Sequence, residues 1–335
     1  MSTTTVKTQS PLDTFAWLLR REFWEYRGSF YWAPLITCLI MLTMMLLGMI
    51  AAELFANQHG VTIGAVKLDQ ITEHMDEAHI EKLRAGIDVG LLTMNLPITL
   101  VLFLVSFFYC TGALYNDRAD RSVLFWKSLP LSDTQTVLAK VVTAAVVAPL
   151  LALAAKIAMH VGFLLLISLY AALHGVNAFG ILWSPLHLLS LWLKLLVTIP
   201  LGVLWALPTI GWLLLVSSFV RSKPFLWSLL VPIAAGVMVT FSGIARSWGF
   251  VSWFWHEIVL RMIFSLFQGS WLDFSSLKGL DHNGGDPSEA IAAIFSMSHM
   301  LDVLVSPSLL IGAVAGAAMI AGAIWLRRTR VEAYA

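Results

Sequence analysis

Lys156, His160, His187 and Lys194 are ionisable side chains set in stretches that are otherwise apolar. A charge in hydrocarbon is costly and is retained where it has a task, so these four are candidates for lining a translocation path or binding an anionic group. Lys156 and His160 are four residues apart and share one face of a helix. His187 and Lys194, seven apart, share a face of the next. The competing account is that the lysines snorkel towards an interface or pair with a carboxylate such as Asp302. A histidine in such a setting is also often a hydrogen-bonded part of the packing.

A second polar stretch interrupts the apolar background: "YNDRADRSVLFWKSLPLSDTQTVLAK", residues 115–140. Asp117, Arg118, Asp120, Arg121 and Lys127 are charged, while Val123, Leu124, Phe125 and Trp126 form an apolar block. Pro130 cannot continue a helix and biases Leu129 to an extended conformation. Ser132, with Gln135 three residues on, fits a capping box that opens the next helix. The pattern predicts a short helix over 117–128, a hard stop and a capped restart. Such a helix across the ends of two spans suits docking into a groove on a soluble partner, with charges giving orientation and aromatics giving anchorage. A basic loop lying against lipid headgroups is the alternative.

Motifs for catalysis are sparse. No G-x-x-x-x-G-K-[ST] phosphate loop, H-E-x-x-H or G-x-S-x-G pattern occurs. "HEIVL" at 256–260 lacks a second histidine, and "DHNGGDP" at 281–287 reads as a turn. A metal site from His74, Asp76 and His79 is conceivable, but a charged outer helix accounts for them better. Cys38 and Cys110, both within apolar runs, read as small buried residues rather than a disulfide or thiolate site. The chain is therefore expected not to be an enzyme, and no metal, cofactor or nucleic acid is expected on it.

The elements that must position these residues follow from hydropathy. The chain has 335 residues, 59% of them hydrophobic and 12% charged, with a mean hydropathy of +0.81. Soluble domains sit nearer half apolar and a quarter charged, so this is an all-α integral membrane protein. A bilayer core of about 30 Å needs about 20 apolar helical residues. Six stretches qualify, near 30–52, 91–115, 137–172, 186–220, 225–245 and 304–326, with Pro149, Pro200 and Pro208 as kink points. Lys and Arg then favour both termini in the cytoplasm. Arg20, Arg21, Arg27, Arg118, Arg121, Lys127, Lys140, Arg221, Lys223 and the tail Arg327, Arg328, Arg330 fall on that side, and loop 173–185 opposite has none.

Residues 250–267 are apolar enough to suggest a seventh span, but His256, Glu257 and Arg261 cluster there, and crossing would invert the basic tail. They are expected to form a re-entrant or interfacial helix within an outer loop, 246–303, whose tryptophans join the aromatic belt. The other outer loop, 53–90, is acidic. At the N-terminus no cleavable signal peptide is read. Instead Phe15, Leu18, Leu19, Phe23 and Tyr26 fall at helical spacing, predicting an amphipathic helix over 12–28 lying on the inner leaflet.

Taken together, "LLRREFWEYRGSFYWAPL" (18–35), the 115–140 stretch with its K-S-L-P-L-S turn, and six spans with a long outer excursion before the last resemble an ABC-2-type permease, the membrane subunit of an ATP-binding-cassette exporter. The resemblance implies an elbow helix near 12–28 and a coupling helix near 117–128. It implies two cytoplasmic ABC ATPase subunits that carry ATP and Mg, a second permease copy or homologue, and a bacterial-type inner membrane. Arg118, Asp120, Arg121, Phe125, Trp126 and Lys127 would be the ATPase-coupling residues. A secondary transporter, which would show paired broken helices in inverted repeats, and a regulatory or structural membrane protein remain alternatives.

Overall fold

Ser10 accepts a hydrogen bond from the Asp13 backbone N–H (3.1 Å) and Pro11 fills the first turn, so helix α1 begins here and runs Pro11–Glu25. The computed structural model describes residues 10–59, 77–129, 131–175, 179–183, 185–242, 248–272 and 296–329. Helix α2 (Gly28–Gln58) follows, opening with a π-helical turn at Gly28–Trp32. Helix α3 (Glu77–Ala119) carries Pro97 without breaking. Arg121 then takes a left-handed conformation (φ 57°), which ends α3 and starts the short helix α4 (Ser122–Ser128).

Both halves of the capping box form at Ser132 and Gln135, and they open α5 (Asp133–Leu173) as expected. A π turn at Thr143–Val147 precedes Pro149, whose ring would clash with the carbonyl one turn back. The remaining helices are α6 (Phe179–Leu182), α7 (Pro185–Phe219), α8 (Pro224–Phe241), α9 (248–264), α10 (Met297–Val305) and α11 (Pro307–Thr329). No strand occurs among the described residues.

Six of these, α2, α3, α5, α7, α8 and α11, are long and apolar enough to cross a membrane. The chain is a multi-pass helical membrane protein. The helices outrun the expected spans: α2 reaches Gln58 and α3 starts at Glu77, so the described parts of 53–90 continue the spans instead of forming a loop. Pro200 and Pro208 lie inside α7, which stays helical throughout. Pro130, the 281–287 turn, His74, Asp76 and Arg330 lie outside the described residues, as does the side chain of His79.

Helices α7 and α11 meet backbone to backbone. A Cβ on Gly316 would collide with the Leu207 main chain, and one on Gly211 with the Gly316 carbonyl. Small residues at this crossing let the helices approach until van der Waals contact extends along both. The segment expected to be re-entrant or interfacial is α9, α-helical at both ends around a π segment at Trp255–Leu260. Its last turn is level with the interior of the bundle. Phe264 stacks on Phe103 of α3 (5.7 Å), and the Thr209 hydroxyl of α7 donates to the Arg261 carbonyl (2.8 Å). Thr209 is about 15 Å along the helix from the end of α7. The chain turns there, through residues 265–272. Arg261 is held by the Ser308 carbonyl (2.6 Å), by Glu257 (3.3 Å) and by the face of Trp205 (4.2 Å).

Candidate functional site

Two polar features stand out from the apolar bundle: an ionic layer at the end that carries α1, and a cavity deeper among α3, α5 and α7. The layer begins on α1. Leu18 and Glu22 are its buried residues, one turn apart, so a carboxylate sits on the face that packs inward. Its charge is answered by Lys140 Nζ (3.2 Å) and the Arg21 guanidinium (2.6 Å), and Tyr109 donates its hydroxyl to it (2.9 Å). Lys140 also approaches Asp117 (3.7 Å), which pairs with Arg327 (2.9 Å), and Arg327 reaches Asp133 (3.0 Å). Three cations and three carboxylates thus join α1, the last turn of α3, the first turns of α5 and the last turn of α11. Burial, Glu25 and Glu22 push the nearby Tyr26 hydroxyl up to about 12, and burial and Glu22 raise Glu25 above the usual carboxylate range.

Helix α4 lies beside this layer. The expected helix over 117–128 is in fact divided: Asp117 and Arg118 belong to α3, because the left-handed Arg121 breaks the helix before Ser122. Arg118 turns inward and donates to the Ser217 (2.6 Å) and Val220 (3.0 Å) carbonyls, capping the end of α7. Asp120, Arg121 and Lys127 are exposed. Trp126 lies under the Arg21 guanidinium (4.0 Å), which fastens α4 to α1. Leu124 and Phe125 point outward, 59% and 60% exposed. The six expected coupling residues therefore divide into those that hold the protein together and those that face away from it.

The cavity, about 270 Å³, is walled by α3, α5, α7 and the turn after α9. Lys156 faces it and is 6% exposed; its ammonium donates to Gln268 Oε1 (2.7 Å), not to Asp302. Lys194 is exposed and is not among the residues that line the cavity, and the side chain of His187 lies outside the described residues. Of the three whose side chains are described, Lys156 alone lines the cavity. His160 is fully buried and acts as a hub. Trp192 Nε1–H can only donate, so His160 Nδ1 accepts (3.2 Å) and Nε2 carries the proton. That proton points at the Leu91 carbonyl and Asn95 Oδ1, each 3.1 Å away. The amide of Asn95 is thereby oriented with its oxygen on His160 and its Nδ2 turned away. Among the described residues this buried Nδ2 has no hydrogen-bond partner, nor does the hydroxyl of Ser106, and both residues line the cavity.

Glu22, Lys140, Asp117, Asp133 and Arg327 were visible in the sequence only as charges flanking spans. One signal did point to the layer: Glu22 falls on the apolar stripe of α1 between Leu19 and Phe23, and a carboxylate there requires a cation from elsewhere. Gln268 and Trp192 carried no such signal. No family model matches the chain, and neither does any curated protein or solved structure.

Proposed function

We propose that the chain is the permease subunit of an ATP-driven ABC exporter, with the α1 end in the cytoplasm. The observation that carries this reading is α4. It is a short helix between two spans, fastened by Trp126 to α1 and set against the ionic layer, with Leu124 and Phe125 turned away from the protein. An exposed apolar pair on a rigid support is the geometry of an anchor for another protein's groove. The ionic layer links that support to α3, α5 and α11, so a push on α4 is transmitted to three spans as a rigid-body movement. Two such chains would enclose the path, the apolar flank of α2 (Ile36, Leu39, Met44, Leu47) facing lipid or the second copy. ATP and Mg would bind two separate cytoplasmic subunits, consistent with the lack of a phosphate loop here.

Affinity purification of the tagged chain from its native membrane, in mild detergent, tests this. Co-purification of a protein with a phosphate-loop ATPase motif is expected, with ATP turnover present in the complex and absent from the chain alone. Turnover by the isolated chain, or a complex without an ATPase, would overturn the proposal.

A further inference from the structure

Lys156 is a buried cation whose partner is a neutral amide. Among the described residues it makes no ion pair, whereas the other deeply buried cations, Lys140, Arg261 and Arg327, each have a carboxylate within 4 Å. A buried ammonium with no counter-charge is strongly disfavoured, while the same group beside an anion is not. Among the described residues only one of its three N–H donors is used. The neighbouring wall adds donors: Asn95 Nδ2, aimed away from His160 by the Trp192–His160–Asn95 relay and lacking a partner, and the equally unpartnered Ser106. The rest of the lining is mainly aliphatic and aromatic, with Leu92, Leu102, Ile199, Val203 and Trp271. The site thus offers positive charge and donors in an apolar container.

The size limits the ligand. A cavity of about 150 Å³ holds benzene, so 270 Å³ accommodates about ten non-hydrogen atoms. The position limits it as well. Lys156 is about 24 Å along α5 from Lys140, within the stretch of α5 that is long and apolar enough to cross a membrane. Thr93 and Leu96 line the cavity and are also exposed on the flank of the bundle, so it opens sideways, where acyl chains lie.

We infer that this cavity binds the carboxylate of a hydrophobic organic acid, with Lys156 as its counter-ion and Asn95 as a second donor. Such an acid could enter from water as a compact molecule or from the bilayer as a fatty acid whose tail trails through the side opening. Both present the same head to Lys156.

The test uses the full chain in nanodiscs of zwitterionic lipid, with no ATPase added, so its outcome is independent of the coupling proposal. Equilibrium binding is measured for radiolabelled octanoate, palmitate, octanol and octylamine against empty discs. Saturable binding of octanoate, palmitate or both is expected, with octanol and octylamine at least tenfold weaker. Octanoate alone would mark a water-borne acid, and palmitate alone a bilayer-borne one. Lys156→Met should weaken the acid at least tenfold. Gln268→Glu keeps the shape but supplies a carboxylate of the protein's own to Lys156. It should raise the melting temperature while weakening the acid by a similar factor, a combination that damage to the fold cannot produce. Equal binding of octanol, no binding of either acid, or acid binding unchanged in both variants would overturn the inference.

Discussion

Lys140 Nζ lies 3.2 Å from Glu22 Oε1, and neither side chain is more than 1% exposed. The pair joins the amphipathic α1 to the first turns of α5, across 118 residues of sequence. A buried pair contributes little relative to a well-packed apolar replacement, but removing one member leaves an uncompensated charge. Glu22→Gln and Lys140→Met should each destabilise by about 3–5 kcal/mol. The double variant Glu22→Gln with Lys140→Met should lose less than the sum of its parts, because neither member of the pair leaves the other unanswered, while Arg21 keeps Glu25 (3.7 Å) and Asp117 keeps Arg327 (2.9 Å). Thermal unfolding in detergent, read as a double-mutant cycle, checks this; additive losses would show that the two groups do not interact.

Helix α4 separates anchoring from support. Leu124→Ala with Phe125→Ala should leave the folding stability within about 1 kcal/mol of the parent, since exposed side chains contribute little to folding, yet should release a co-purifying ATPase. Trp126→Ala removes the surface under Arg21 and should instead loosen α1, seen as faster proteolysis near Arg20 and Arg21. If the Leu124/Phe125 variant retained its partner intact, docking would lie elsewhere.

The α7–α11 crossing tolerates no added atoms. Gly316→Ala places a methyl into the Leu207 main chain and should destabilise by about 1–3 kcal/mol or more, because backbone cannot yield as a side-chain tip does. Gly48→Ala on α2, where a Cβ meets nothing within 4 Å, is the matched control and should be neutral or stabilising by up to about 1 kcal/mol. Equal effects at the two positions would contradict the close approach.

At the opposite end of the bundle, His174 bridges α5 to α2. The Tyr170 carbonyl (2.8 Å) and the Glu53 carboxylate (3.0 Å) raise its imidazole above the ordinary range. The contribution is therefore fully present below the unfolded value, about 6.5, and is lost as pH rises through the higher folded value. The gap in melting temperature between the parent and His174→Ala should be widest near pH 6 and should close by about pH 9. A gap that stayed constant with pH would mean the imidazole is held for packing alone.

Hydropathy and spacing by themselves determined the number of helices able to span a membrane, the amphipathic α1, the break after α4 and the Ser132 capping box. These depend on local preferences and on a solvent that admits only internally bonded helices. The charged cluster His256, Glu257 and Arg261, and the basic tail that a further crossing would invert, also argued against counting α9 as a span. Only the tertiary structure decided which charges meet. Arg118 and Trp126 looked equivalent to Phe125 in the linear pattern, yet the crossing with α7 and the packing of α1 draw the first two inward and leave Phe125 outside. Lys156 and Lys194 looked like partners, but the rotation of α7 about its axis sends Lys194 outward and leaves Lys156 with Gln268, a residue 112 positions away. Helical periodicity states which residues share a face. Which face turns inward, and at what height it meets the next helix, depends on backbone approaches such as that at Gly211 and Gly316, and those exist only once the helices are packed.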